Sequence, residues 1–162
     1  PSDRLIVINS ASKSFNMTGW RVGWMTHPEE LGAHIAKLVQ ITTTGVPEFL
    51  QNGLISALQN YKLLIKEVRL NLKKSRDLMF ERLVEWKQVE CCVPEAAFYA
   101  FFKVKGMDDS LEFAKKLIID TNVGVAPGIA FGKSGEGHLR ICFAAKQSFI
   151  NEIMDRLEPA LN

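Results

Sequence analysis

The chain has 162 residues, enough for one ordinary domain or two small ones. Apolar types at 47% and charged types at 23% are those of a folded globular chain and exclude intrinsic disorder. A formal charge of +2 points neither to nucleic acid nor to an acidic membrane surface. The longest apolar run, Ala96 to Phe102, falls far short of the roughly 20 residues that a membrane-spanning helix needs.

Arg4 to Ile8 is a β-branched run that reads as a buried strand of an α/β sheet, and the polar cluster Asn9 to Ser14 reads as the loop at its end. Functional groups of α/β sheets gather at that edge. Trp20 to Met25 reads as a second short strand, closed by His27-Pro28. Pro28 with Glu29 and Glu30 suits a first helical turn, followed by an apolar stripe of Leu31, Ile35, Leu38 and Val39. Gly45-Val46-Pro47 breaks the chain, and Phe49, Leu50, Leu54 and Leu58 begin another stripe.

Tyr61 to Trp86 is the longest periodic segment. Tyr61, Leu64, Ile65, Val68, Leu72, Met79 and Leu83 share one face, and Lys62, Lys66, Arg69, Lys73, Lys74 and Arg76 lie on the other. No aromatic residue is interleaved with that basic face for bases to stack on, so it reads as a solvated helix face. Phe98 to Val104 alternates as a strand does. Asp109-Ser110-Leu111-Glu112 opens a helix with capping-box spacing. Val123 to Ala126 and Leu139 to Ala144 read as strands on either side of the loop Pro127 to Gly137. Ser148 is expected to cap a last helix with Phe149, Ile150, Ile153, Met154, Leu157 and Leu161 on its apolar face. A division into two units is expected within the long helix, near Leu70, giving residues 1–70 and 71–162.

Cys91, Cys92 and Cys142 are odd in number and lack a CxxC pair, which predicts unpaired, mostly buried thiols in a reducing compartment. No secretory signal is visible, and a cytoplasmic location is expected. A chain opening at Pro1 with a strand four residues later is expected to be part of a longer one. Two tempting motifs fail. PGIAFGKSGEG has Pro127 where a Walker A motif needs glycine, and a strand follows rather than a helix. A nucleophile elbow around Ser134 needs glycine where Glu136 stands. A glycine-rich loop that turns the strand is the better account. His27, His34 and His138 are far apart and lack metal spacing, so no metal site is expected.

The segment from Asn9 to Trp24 carries the chemistry. Lys13 follows a strand, sits among small hydroxyl residues and has no carboxylate within eight positions on either side. It is expected to be partly desolvated and near Arg21, and both effects lower an amine's pKa. A neutral amine near pH 7 is what Schiff-base chemistry requires. The hydroxyls of Ser10, Ser12 and Ser14 and the guanidinium of Arg21 can together hold a phosphate dianion. On composition alone, a surface loop with one lysine and a few serines is the simpler account.

Order and spacing change that reading. SxSKSFNMTGWRVGW closely resembles the lysine segment of the class I/II aminotransferases, fold-type-I enzymes that use pyridoxal 5′-phosphate. The lysine, the serine three before it, the arginine eight after it and the Gly-Trp-Arg-x-Gly frame carry the match. Downstream, VGVAPGIAFGKSGEGHLRICFA resembles the family's small-domain signature. Pro47 with Gln51, the long helix, and Pro94 to Tyr99 as a strand entry agree with it, so the resemblance covers essentially the whole chain. It implies an α/β chain that is the C-terminal part of a pyridoxal-phosphate-dependent transferase fold. The parts would be a remnant of the large-domain mixed sheet, a long connecting helix and a small α/β domain.

The resemblance further implies that Lys13 holds the cofactor as an internal aldimine. Lys13 then moves a proton between the substrate Cα and the cofactor's C4′, so that an amino group passes between an α-amino acid and a 2-oxo acid. Ser10 and Arg21 would bind the cofactor phosphate, and Arg140 the substrate α-carboxylate. A planar guanidinium suits that last task because it gives two parallel hydrogen bonds. The alternative for Arg140 is pairing with a neighbouring acid such as Glu136. Ser12 and Ser14 are expected to shape the loop, and Phe15, Trp20 and Trp24 to pack.

The family's acid for the pyridine nitrogen, its stacked ring and its phosphate-binding glycines have no counterpart here, and Asp3 lies too close to the lysine strand to be that acid. The piece alone is therefore expected to be inactive, and its first unit to need a partner or further residues over its apolar faces. A homodimer is implied for the intact enzyme. Two other readings stay open, a β-lyase with the same cofactor and a non-catalytic ligand-binding or regulatory module.

Overall fold

The computed structural model describes residues 4–162, so the expectations placed on Pro1 and Asp3 lie outside the described residues. The chain divides into two compact units, the first ending at Arg69 and the second running Leu70–Asn162.

In the first unit, β1 (Val7–Ser10) pairs antiparallel with β2 (Gly23–Thr26), in register from Val7 opposite Thr26 to Ser10 opposite Gly23. The first strand was expected over Arg4 to Ile8 and buried. It lies further along and is open, with Ile8 74% exposed. A two-stranded ribbon has no second layer of its own to cover either face. The polar cluster also differs from a simple loop. Ser10 is extended and its Oγ accepts from the Ser12 N–H at 3.1 Å, which starts a one-turn helix, α1 (Ala11–Ser14).

Below that turn, Ala11, Phe15, Val22, Leu54 and Ala57 form a small core, with Trp24, Leu64 and Ile65 packed on it. Phe15 and Trp24 are thus packing residues, and Trp20 lies against Gly53 of α3 (Glu48–Gln59). That helix starts where Pro47 interrupts the chain, and Gln51 returns its side-chain amide to the Val46 carbonyl at 2.7 Å. Pro28 precedes a 3₁₀ turn, Glu29–Leu31, which leads into α2 (Gly32–Thr42). Its stripe is not buried: Leu38 and Val39 are exposed.

The long helix α4 (Tyr61–Leu83) ends one turn earlier than expected, and Trp86 is buried in the turn that follows, its N–H on the Leu83 carbonyl at 3.3 Å. Its basic face is partly neutralised. Asp77 accepts from Lys73 at 2.6 Å and from Arg76 at 2.7 Å, and Arg76 also donates to the Pro94 carbonyl. Hydrogen bonds from Lys73 and then Arg76 hold the Asp77 carboxyl below its ordinary range.

The second unit holds a four-stranded antiparallel sheet in the order β3 (Val89–Glu90), β4 (Tyr99–Val104), β6 (His138–Cys142), β5 (Ala126–Pro127). Strand alternation divides its faces. Ala100, Phe102, Val104, Leu139 and Ile141 are buried with Met79, Phe80 and Leu83 of α4, with Ala114 and Leu117 of α5 (Ser110–Thr121), and with Ile150, Met154 and Leu157 of α6 (Gln147–Leu161). The opposite face carries Tyr99, Phe101, His138, Arg140 and Cys142. The buried hydroxyl of Ser75 is satisfied by the Ala145 carbonyl at 2.9 Å, and Arg82 of α4 forks to Asp155 and Glu158 of α6.

Two caps test the sequence reading. Asp109 caps α5 as its spacing predicts, accepting from the Leu111 and Glu112 N–H groups at 3.1 and 2.9 Å. For α6 the N-cap is Lys146 and not Ser148, because the helix begins at Gln147 and so takes Ser148 into its first turn. The strand expected over Val123 to Ala126 shrinks to Ala126–Pro127. The thiols also differ from expectation: Cys92 and Cys142 are exposed, and only Cys91 is partly covered. Cys142 lies on the open sheet face, one residue on from buried Ile141.

Candidate active site

The residues singled out by the sequence lie in two clusters, one in each unit. The first is at the end of the β1–β2 ribbon. Ser10 faces Gly23 across the pair, and the Ala11 N–H continues the ladder onto the Val22 carbonyl at 3.1 Å. Gly23 has to be glycine, since a Cβ there would stand 2.4 Å from the Asn9 carbonyl oxygen. This close pairing brings the turn that carries Lys13 and the approach that carries Arg21 to the same ribbon end as Ser10.

Arg21 has a left-handed backbone, φ 52°, and donates to the Thr18 carbonyl at 3.3 Å. Asn16 shares that conformation at φ 55°, with its N–H directed to the Lys13 carbonyl. Such backbone costs a residue with a Cβ about 1 kcal/mol or more, and it clusters at functional sites. Ser10 spends a lone pair as a cap and retains its own O–H as a donor. Ser10, Lys13 and Arg21 are all exposed, so a ligand can reach them. The desolvation expected of Lys13 is therefore not supplied by the residues around it. Four positions of chain on a one-turn helix cannot enclose an amine.

The second cluster is on the open face of the β4–β6 sheet. Arg140 does not pair with Glu136. Its guanidinium lies over the ring of Tyr99, 4.3 Å from the centroid, and over that of Phe131, at 4.0 Å. Each such contact is worth about 0.5–1 kcal/mol at an exposed site. Phe131 meets the edge of Phe101 at 6.0 Å and 87°, and Phe101 stacks on His138 at 4.9 Å and 4°. Tyr99 and Phe131 belong to segments that carry the family resemblance, but the sequence assigns neither of them a contact with Arg140. The alternation of β4 could have marked Tyr99 as facing away from the core.

Glu136 has a different task. Its Oε1 accepts from the Ser110 N–H at 2.7 Å and the Gly137 N–H at 3.0 Å, and the Ser110 hydroxyl in turn accepts from the Ile129 N–H at 3.1 Å. Hydrogen bonding from the Ser110 side chain, then from the Gly137 and Ser110 N–H groups, holds the Glu136 carboxyl below its ordinary range. It thus fastens the loop bearing Phe131 to the start of α5. A lowered folded-state pKa means that this fastening is fully present above the unfolded value of about 4.3 and is lost as pH falls through the folded one. Amide exchange should show protection at Ser110 and Gly137 near pH 6 that weakens as pH falls through the lowered carboxyl pKa, and Glu136→Gln should make it weaker and insensitive to pH.

Each unit combines helices with antiparallel strands, so the chain is of the α/β class. Residues 1–157 match the family described as aminotransferase class I and II, and the chain belongs to that family, which is pyridoxal-phosphate-dependent. It is 38% identical over 152 residues to an LL-diaminopimelate aminotransferase of Natranaerobius thermophilus, a match covering 94% of this chain and 39% of that protein. It is 34% identical to an aspartate aminotransferase of Pyrococcus abyssi, over 98% of this chain and 41% of the other. The crystal structure of an aromatic aminotransferase from Pyrococcus horikoshii superposes with a TM-score of 0.89 at 32% identity, over 98% of this chain and 43% of that one. The chain therefore spans about two fifths of the length of the curated relatives it matches. Among the described residues, no helix is long and apolar enough to cross a membrane.

Proposed function

We propose that this chain is a portion of an enzyme that transfers an amino group between an α-amino acid and a 2-oxo acid. Lys13 is its catalytic residue, Ser10 and Arg21 its phosphate-binding pair, and Arg140 its substrate carboxylate-binding residue. The observation that carries this reading is that an amine, a guanidinium and a hydroxyl with a donor to spare meet at one ribbon end. That donor set fits a small aldehyde bearing a phosphate dianion, as pyridoxal phosphate does. When bound, the cofactor supplies the conjugated ring that draws electron density from the substrate Cα.

The chain's own residues do the rest. Arg21 and Ser10 grip the phosphate by charge-assisted hydrogen bonds and so fix the cofactor's reach from Lys13. Lys13 Nζ, when neutral, takes up the proton of the substrate's Cα–H. Arg140 holds the substrate carboxylate in the plane of its fork by two parallel hydrogen bonds. The open apolar surface of the first unit, with Ile41 82% and Phe49 72% exposed, supports a homodimer or further chain of the same protein over it.

Borohydride reduction in the presence of pyridoxal phosphate, followed by peptide mapping, tests the central assignment. A pyridoxyl label on Lys13 is expected. A label on another lysine overturns the reading.

A further inference from the structure

Arg140 carries more information than its place on β6. Its guanidinium lies against two rings, Tyr99 and Phe131, and among the described residues its side chain makes no hydrogen bond or ion pair. The nearest acid along the strand, Glu136, is committed to the Ser110 and Gly137 N–H groups. Cation–π contacts engage the flat faces of a guanidinium and consume none of its N–H groups, which all point outward in its plane. An ion pair would consume those donors. The arrangement thus restrains the group's rotation while leaving its forked edge for a planar anion.

From this geometry we infer that Tyr99 and Phe131 are positioning residues that aim the Arg140 fork at the substrate α-carboxylate; the inference rests on the carboxylate role given to Arg140 above. Tyr99 comes from β4, two positions from the Phe101 that pairs with Arg140 in the ladder. Phe131 comes from the 3₁₀ turn Gly128–Phe131 and is supported by the edge of Phe101. Glu136 and Ser110 hold the turn in place, so the clamp joins a strand and a loop that the chain keeps at fixed separation.

The test uses the full-length enzyme loaded with pyridoxal phosphate, assayed with 2-oxoglutarate and L-aspartate, L-phenylalanine or LL-diaminopimelate, whichever is turned over. Phe131→Leu and Tyr99→Leu should each raise the amino-acid KM about threefold, and together about tenfold, with kcat changed less. Phe131→Tyr and Tyr99→Phe, which keep a ring, should restore KM. In proton–nitrogen spectra the Arg140 Nε–H should lie upfield because of the rings, and should move downfield in each leucine variant.

The two ideas fail separately. If Arg140→Lys raises KM strongly while neither leucine variant does, the clamp is overturned and the carboxylate role stands. If Arg140→Lys leaves KM unchanged, the carboxylate role fails and the clamp's purpose with it. An Arg140 Nε–H at its ordinary position in the unaltered enzyme overturns the clamp without any variant having to fold.

Discussion

Lys13→Ala is expected to lower turnover of the loaded enzyme by about 10²–10⁴-fold, the usual worth of a positioned proton-transfer group, while leaving the first unit folded. The separation of function from folding follows from where the side chain sits. Lys13 is exposed, whereas two residues before it Ala11 is fully buried and its N–H ties the turn to the Val22 carbonyl. The Ser10 cap on the Ser12 N–H and the Lys13 carbonyl's bond from Asn16 involve no atom of the lysine side chain. Alanine is also a better helix former than lysine in the turn it would occupy. Lys13→Arg should be as inactive as Lys13→Ala, because a guanidinium stays protonated and cannot take up a proton. Added methylamine should restore part of the alanine variant's activity and none of the arginine variant's. Steady-state rates, with circular dichroism as the folding control, check all of this. Activity of Lys13→Ala within tenfold of the unaltered enzyme would mean that the proton is moved by another group.

Much of this arrangement is legible in the residues. The order of Ser10, Lys13 and Arg21 needs no tertiary information, because a strand pair with Ser10 opposite Gly23 brings them together locally. Asp109 likewise caps α5 through its own neighbours. What escapes the sequence depends on distance along the chain. The strand over Phe98 to Val104 is legible, but its residues are nearly all apolar. The sequence therefore does not say that Ala100 and Phe102 are buried while Phe101 is 41% exposed, which follows because only one face of β4 meets helices. Phe131 looks like one more loop aromatic until Arg140 is placed beneath it by the pairing of β4 with β6. Cys142 and the β1 residues were expected to be buried on composition, but composition cannot say which side of a sheet is covered. Ser148 has the right chemistry for a cap, and loses the position because the helix starts one residue before it.

The Pro-Gly turn of the second signature leads to the other large effect. Gly128→Ala is expected to destabilise the second unit by about 2–4 kcal/mol, more than an ordinary overpacked methyl, because no side chain can yield to it. A Cβ on Gly128 would stand 1.9 Å from the Gly135 carbonyl oxygen and 2.6 Å from that of His138, and both are backbone atoms. Gly135 is bound by the same contact from the other side, with its Cβ position 2.2 Å from the Gly128 carbonyl oxygen. Alanine at either position must therefore part the two limbs of the loop, Gly128–Phe131 and Lys133–Gly135. Parting them strains the Ile129 N–H bond to the Ser110 hydroxyl and the Glu136 bonds to Ser110 and Gly137, so the loss spreads from one methyl to the start of α5. It also carries Phe131 away from Arg140. Gly128→Ala should lower the midpoint of thermal unfolding, and at temperatures where the protein remains folded it should raise the amino-acid KM as the Phe131 variants do. Adding Gly135→Ala to it should cost less than the two single losses summed, because both methyls contest one contact. Full additivity in that double-mutant cycle would show that the two glycines serve separate turns.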